Sequence, residues 1–309
     1  GNLTDNARML AAMGRMLVYQ DPDKTVPLEG MEVELTIDKT IQYVAEKALK
    51  KAVDKYGAVG GTAVVMDPST GEILAMANQP SFDPNDVGRF NVGHWKNRAV
   101  TDVYEPGSTF KLFLIAAALD EGLVKPSNSF FCENGNYRVA DRVFHDHEKY
   151  GWLDVSHIIK YSSNICSAKI GEKLGKVQLY RYMKAFGFGS KTGIDLPGEA
   201  SGFLRHYNEW SGVTLHTVSF GQGVSVSSVQ LLTAVSAIAN GGFLMKPYVV
   251  RSVKDQAGAV VSESHPVVTR RVISAETAGT LTEMLVGVTE EGGTGTKAAI
   301  EDFEVAGKT

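Results

Sequence analysis

The chain has 309 residues, 43% of them hydrophobic and 21% charged, with a formal net charge of -4. This describes a globular protein with enough material for one large domain or two ordinary ones. The weak negative charge, with no basic run, leaves no electrostatic footprint for a nucleic-acid partner, and no apolar stretch approaches the ~20 residues of a membrane-spanning helix.

The N-terminus lacks the basic-then-apolar layout of a signal peptide. A chain that begins at Gly1 without Met is expected to be a processed or excised portion of a longer protein. Residues 1–30 carry no usable motif, although Met9, Met13 and Met16 to Val18 fit a short amphipathic segment. "VELTID" alternates like a short strand, and Asp38 then caps a helix whose apolar positions Ile41, Val44, Ala45, Ala48, Leu49 and Val53 recur at helical spacing up to Gly57. "GTAVVMDPSTGEILAMANQP" reads as a β-hairpin turning at Pro68 to Gly71. A polar connection follows from Asn85 to Glu105. "YEPGSTFK" then leads into "LFLIAAALDEG", a helix with no polar face, which other elements must therefore wrap. Residues 154–187 read as helical, broken at Gly171 and Gly175, and 224–240 as another mostly buried helix. "KPYVVRSVKD", "AVVSES" and "PVVTRRVI" supply strands, "SAETAGTLTEMLVGVTEEG" a capped helix, and "DFEVAGKT" an alternating strand up to Thr309. There is no internal repeat.

Pro106 and Gly107 set Ser108 in the first turn of its helix, where unpaired N–H groups and the positive dipole end favour developing negative charge. Lys111, three positions on, shares the face of Ser108. For Lys111 to take the proton of Ser108 near neutral pH, its pKa must fall by ~3 units, which burial in an apolar helix supplies. A Ser-x-x-Lys spacing also arises about once by chance in a chain of this length, with Ser as a plain N-cap, so companions are needed. "YSSNICSAKIG" offers them: Ser162 as a proton relay and Asn164 as a holder of a substrate amide, against the bland alternative of an ordinary helix break capped by Ser and Asn. For a clamp on a substrate carboxylate there are two candidates. Lys191-Thr192-Gly193 sits in a glycine- and proline-rich loop, whereas Lys308-Thr309 continues the alternating strand, whose edge could pair with an extended substrate. Lys308 and Thr309 are the expected pair.

Among the remaining features, His145-Asp146-His147-Glu148 are loop neighbours that do not converge on a metal without further ligands, and no metal or cofactor is expected. "GGTGTK" lacks the spacing of a phosphate loop and reads as a loop beside the site. Cys132 and Cys166 are too few for a disulfide framework and not spaced for zinc; a single disulfide between them stays open.

Ser-x-x-Lys, Ser-x-Asn and Lys-Thr in this order are similar to the signature of penicillin-binding proteins and serine β-lactamases. "LTIDKTIQ", "AVVMDPSTGEILAMANQPSFDPN", "YEPGSTFK", "YSSN", "TGIDLPGEASG", "FGQG", "AIANGG" and "EGGTGTKAAI" resemble segments of class B penicillin-binding proteins, with "EPGSTF" closer to the septal or spore type. The likeness runs from about Gly30 to Thr309. It implies an α+β fold of the β-lactamase/transpeptidase type, an antiparallel sheet flanked by helices with a mostly helical subdomain. Residues 1–30 stay unassigned, and 31–309 form the transpeptidase domain, cut at its C-terminal end before the glycine of the third motif and the last strands.

By the same resemblance Ser108 is the nucleophile, Lys111 its base, Ser162 and Asn164 a proton shuttle and donor-peptide holder, and Lys308 and Thr309 the carboxylate site. The implied reaction is D-alanyl-D-alanine transpeptidation of peptidoglycan stem peptides, inhibited by β-lactams, on the extracytoplasmic face of the bacterial membrane among divisome partners. Ser163 in place of an aspartate favours synthesis over hydrolysis. One oxyanion donor is expected beyond the missing glycine, and its loss costs ~3 kcal/mol of transition-state stabilisation, so this chain alone is expected to be poorly active. The competing readings are a serine β-lactamase, a β-lactam sensor and, least favoured, a non-catalytic scaffold.

Overall fold

The computed structural model describes residues 30–89 and 91–309. The amphipathic segment expected around Met9 to Val18 lies outside the described residues. Strand β1 (Glu32–Leu35) leads into helix α1 (Lys39–Tyr56). The caps of α1 are those the local chemistry dictates: Asp38 Oδ1 accepts from the N–H groups of Thr40 and Ile41 at 2.8 and 2.9 Å, and Gly57 closes the helix at φ +58°. The hairpin β2 (Gly61–Met66) and β3 (Ile73–Gln79) follows.

After a short helix α2 (Arg98–Thr101), a 3-10 turn at Gly107–Phe110 continues into helix α3 (Lys111–Asp120). Every residue of α3 from Lys111 to Ala118 is buried. The chain then forms β4 (Ser129–Phe131), the hairpin β5 (Asn136–Val139) and β6 (Arg142–His145), and β7 (Trp152–Asp154). Helices α4 (Val155–Tyr161), α5 (Asn164–Leu174) and α6 (Lys176–Ala185) come next. Strand β8 (Phe203–Leu204), helix α7 (Thr214–Ser219), strand β9 (Val224–Ser225) and helix α8 (Ser228–Ala239) lead to β10 (Phe243–Met245), β11 (Val250–Lys254), β12 (Val260–Glu263), β13 (Val268–Arg271) and helix α9 (Ala275–Thr289).

The ladders are antiparallel: β1–β11–β12 as one sheet, and the pairs β2–β3, β4–β7, β5–β6, β8–β9 and β10–β13. Thr36 joins the first two, its N–H donating to Val249 O and its hydroxyl to Ile73 O. Helix α1 packs on β2 and β3, and α2 and α8 also pack against the hairpin, so helices flank the sheet as expected.

The larger core is built around α3. Phe113 meets Phe186 and Phe188 with ring centroids at 4.9 and 4.8 Å. Leu174, Leu179, Met183, Ala234, Leu281 and Leu285 close the same cluster from α5, α6, α8 and α9. Each large side chain removed from water there contributes ~2 kcal/mol, and the helix with no polar face needs this enclosure. A second cluster, including Met66, Ile73, Val100, Val229 and Val249, lies between the hairpin and α8.

Three sequence expectations are corrected. Gly171 does not break a helix; it lies inside α5, where a Cβ would sit 1.9 Å from Ser219 Oγ, so it permits the close approach of α7. The break between α4 and α5 falls instead at Ser162 and Ser163. Residues 224–240 are not all helix, because Ser227 caps α8 in a capping box with Gln230 and leaves Val224–Ser225 to pair with β8. The segment at 303–309 is not a ladder strand. Alternation selects a face but a strand also needs a partner, and here Gly307 N donates to Leu285 O of α9 and Thr289 Oγ1 to Val305 O.

Candidate active site

The segment before Ser108 is laced to the stretch before α8. Tyr104 and Val226 exchange backbone hydrogen bonds, Gly223 N donates to Glu105 Oε1 at 2.8 Å, and Gly107 N donates to Gly221 O at 3.1 Å. Gly221, at φ +83°, has room for no side chain, since a Cβ would lie 2.1 Å from Gly107 O. This fixes the turn that presents Ser108.

Lys111, fully buried, reaches four oxygens: Ser162 O at 2.5 Å, Asn164 Oδ1 at 2.8 Å, Ser162 Oγ at 3.0 Å and Ser108 Oγ at 3.2 Å. Burial pushes its ammonium down to about 7, helped by the positive charge of Lys308 and opposed by the carboxylate of Asp146. The two carbonyl oxygens only accept, so they take two N–H bonds from a neutral amine. Its lone pair is then free to receive a proton from a hydroxyl, and Ser108 and Ser162 both supply one.

Ser162 takes a left-handed conformation, φ +62°, as it ends α4, a cost of about 1 kcal/mol for a residue with a Cβ. Its carbonyl and hydroxyl both contact Lys111 there. Ser163 caps α5, accepting from Cys166 N at 3.0 Å. The side chain of Asn164, the first residue of α5, is oriented by its Nδ2, which donates to His145 O at 3.1 Å. Asp146 accepts from Ser163 Oγ at 2.6 Å, from Asn164 N at 2.5 Å and from Ile165 N at 3.1 Å. A disulfide joins Cys132 to Cys166 with a Cα–Cα separation of 5.1 Å, tying the first turn of α5 to the end of β4 and deciding the pairing that the sequence left open.

Lys308 lies near enough for its charge to act on Lys111. It lines an apolar groove of about 300 Å³ with Tyr104, Thr109, Leu112, Leu231 and Leu285. Burial lowers its own ammonium to about 8. Thr309 Oγ1 donates to Thr294 Oγ1 at 3.0 Å, which brings the "GGTGTK" loop beside this end of the site. Ser108 with Lys111, Ser162 with Asn164, and Lys308 thus come together from three separate stretches of chain. Lys191-Thr192-Gly193 has another setting: Glu199 accepts from Thr192 N and Oγ1 at 2.5 and 2.6 Å and from Gly193 N at 3.2 Å, which fastens that loop on itself. Asp146 is the residue sequence reasoning missed, because the only signal for it was an acidic residue in a run that suggested metal at most.

Residues 61–309 match the family model for the penicillin-binding protein transpeptidase domain. The chain belongs to this family. Within it, the similarities lie with class B penicillin-binding proteins. It is 38% identical over 302 residues to stage V sporulation protein D of Bacillus subtilis, covering 96% of this chain and 47% of that one. It is 37% identical to a probable peptidoglycan D,D-transpeptidase, PenA, of Neisseria flavescens, covering 93% and 69%. The aztreonam complex of penicillin-binding protein 3 from Mycobacterium tuberculosis superposes with a TM-score of 0.85 at 33% identity, over 90% of this chain and 64% of that one. The penicillin-binding transpeptidase domain thus spans about half the length of several curated relatives. Among its described residues no helix is long and apolar enough to cross a membrane.

Proposed function

We propose that residues 31–309 act as a serine D,D-transpeptidase domain of peptidoglycan cross-linking, in an extracytoplasmic, septal or sporulation setting. The observation that carries this is the buried Lys111 amine, held by two carbonyl acceptors with its remaining contacts on the hydroxyls of Ser108 and Ser162. Lys111 takes the proton of Ser108, and Ser108 Oγ bonds to the carbonyl carbon of the penultimate D-alanine of a stem peptide. The peptide C–N bond breaks, and the leaving D-alanine amine takes a proton from the Lys111–Ser162 pair. A neighbouring stem-peptide amine then attacks the ester, losing its proton to the same pair, and Ser108 is restored. Asn164 holds the donor amide, while Lys308 and Thr309 bind the terminal carboxylate. A β-lactam enters by the first step and stays bound.

Transfer rather than hydrolysis is favoured because the second motif carries no carboxylate of its own, and Asp146 beside it is committed to three donors. Intact-protein mass after incubation with benzylpenicillin tests the reading, on this chain and on the longest natural polypeptide that contains it. A lasting one-to-one adduct, absent in Ser108→Ala, is expected. No adduct in either length would overturn the assignment, and rapid turnover of the drug would make the protein a β-lactamase.

A further inference from the structure

The hairpin β5–β6 reaches the proposed site through His145 O and through Asp146, which follows its second strand, and several side chains anchor it there. Phe144 stacks on His216 of α7 with 19° between the rings, and meets Phe220 edge-on at 5.8 Å. Tyr137 donates to Glu172 Oε1 of α5 at 2.8 Å, and the same oxygen lies 2.7 Å from His216 Nε2. The ammonium of Lys169, also on α5, sits 4.9 Å from the centre of the Tyr137 ring. The hairpin is thereby fixed to α5 and α7 together, and its end projects His145 O and the Asp146 carboxylate at the start of α5.

From this geometry we infer that Asp146 is a positioning residue for the reaction: it fixes Asn164 and Ser163 at the head of α5, and its carboxylate opposes the charge of Lys308 at Lys111. The inference rests on the transpeptidase reading of Ser108 and Lys111. Its first half follows from the three hydrogen bonds Asp146 accepts: two occupy the free N–H groups of Asn164 and Ile165 at the start of α5, and the third comes from the Ser163 hydroxyl. With Nδ2 of Asn164 held by His145 O, the Asn164 side chain has one way to present Oδ1 to Lys111.

The second half is electrostatic. Two charges act on Lys111 in opposite senses: Lys308, which favours the neutral amine, and Asp146, which favours the ammonium. Ser108, Ser162 and Asn164, the other groups at its Nζ, are uncharged. Around Asp146 itself stand His145, whose Nδ1 is 2.9 Å from Asn136 Oδ1, then His147 and Glu148 on the same loop, and Tyr150, whose phenol is pushed up by burial and by Glu148, Asp146 and its stacking partner Tyr161. Without Asp146 the balance at Lys111 tips toward the neutral amine.

The test compares wild type, Asp146→Asn and Asp146→Glu. The second-order rate of benzylpenicillin acylation is measured from pH 5 to 9. The Lys111 amine is titrated directly by NMR on [ε-13C]lysine-labelled protein, with its signal assigned by Lys111→Met. For Asp146→Asn the plateau rate falls at least about tenfold and the acid limb moves down by about 1 pH unit, with the Lys111 resonance moving in step. Asp146→Glu recovers the position of the limb more than the rate. A plateau lowered with limb and resonance unmoved overturns the electrostatic role, and an unchanged plateau overturns the positioning role. If wild type forms no adduct, the transpeptidase reading fails. The NMR titration still decides whether Asp146 controls the proton on Lys111.

Discussion

Replacing Lys111 with methionine exposes the cost of holding a base ready. The side chain is fully buried and its pKa is about 7 in the folded state, against ~10.4 for a solvated lysine. Between those values the unfolded chain binds a proton that the native protein does not. Stability referred to Lys111 therefore rises with pH by about 1.4 kcal/mol per unit across that window. Below pH 7 both states are protonated and the full penalty, about 5 kcal/mol, is present; above pH 10 it has vanished. Lys111→Met removes the titration while keeping the length of the side chain, so the titrating groups that do not sense Lys111 cancel in the comparison. Urea denaturation of both proteins at pH 7, 8, 9 and 10 should show wild type gaining on the variant by about 4 kcal/mol over the range. The same variant should form no β-lactam adduct. A difference that stays flat with pH would mean that Lys111 keeps an ordinary lysine pKa in the fold, and the proton-abstraction argument would collapse with it.

Lys308→Met removes a cation beside Lys111 and the proposed partner of a carboxylate. The acylation limb should move to higher pH, opposite to the shift for Asp146→Asn, and plateau acylation should fall about thirtyfold for a lost charged hydrogen bond of ~2 kcal/mol. An unmoved limb in stopped-flow acylation would show that the two ammonium groups do not sense each other. The Cys132–Cys166 bond spans 34 positions, and closing a loop of that size in the unfolded chain is worth about 4 kcal/mol on the chain-entropy account. Denaturation of Cys132→Ala/Cys166→Ala should show that loss, wild type under dithiothreitol should match it, and the double variant should ignore the reductant. Equal midpoints throughout would refute the estimate.

Features set by neighbouring residues were legible in the sequence. Asp38 and Gly57 bound their helix because caps act over one turn, and the unbroken apolar run after Lys111 demanded enclosure whatever enclosed it. Ser108 and Lys111 could be paired on paper because one helical turn joins them. Asp146 could not be placed, since its partners Ser163 to Ile165 lie on another element, and Phe144 on the hairpin before it packs against His216 and Phe220, farther still along the chain. Gly171 shows a similar limit. Propensity marks glycine as a breaker, whereas here the decisive fact is the distance to Ser219, which belongs to another helix. The alternation of residues 302–309 reads as a strand, which it is not, because pairing depends on what lies alongside.

Lys111 loses its proton readily only when wrapped, and its surroundings are completed by residues far along the chain: Ser162 and Asn164 at its Nζ, with the charge of Lys308 acting on it. In a chain whose Ser162–Asn164 turn has not yet closed on Lys111, the amine meets water and holds its proton, and Ser108 is then an ordinary alcohol. Chemical reactivity thus arrives at the end of folding and not during it. A fluorescent penicillin added during refolding would count finished molecules one by one, and nascent chains would pass through the presence of an antibiotic unmarked.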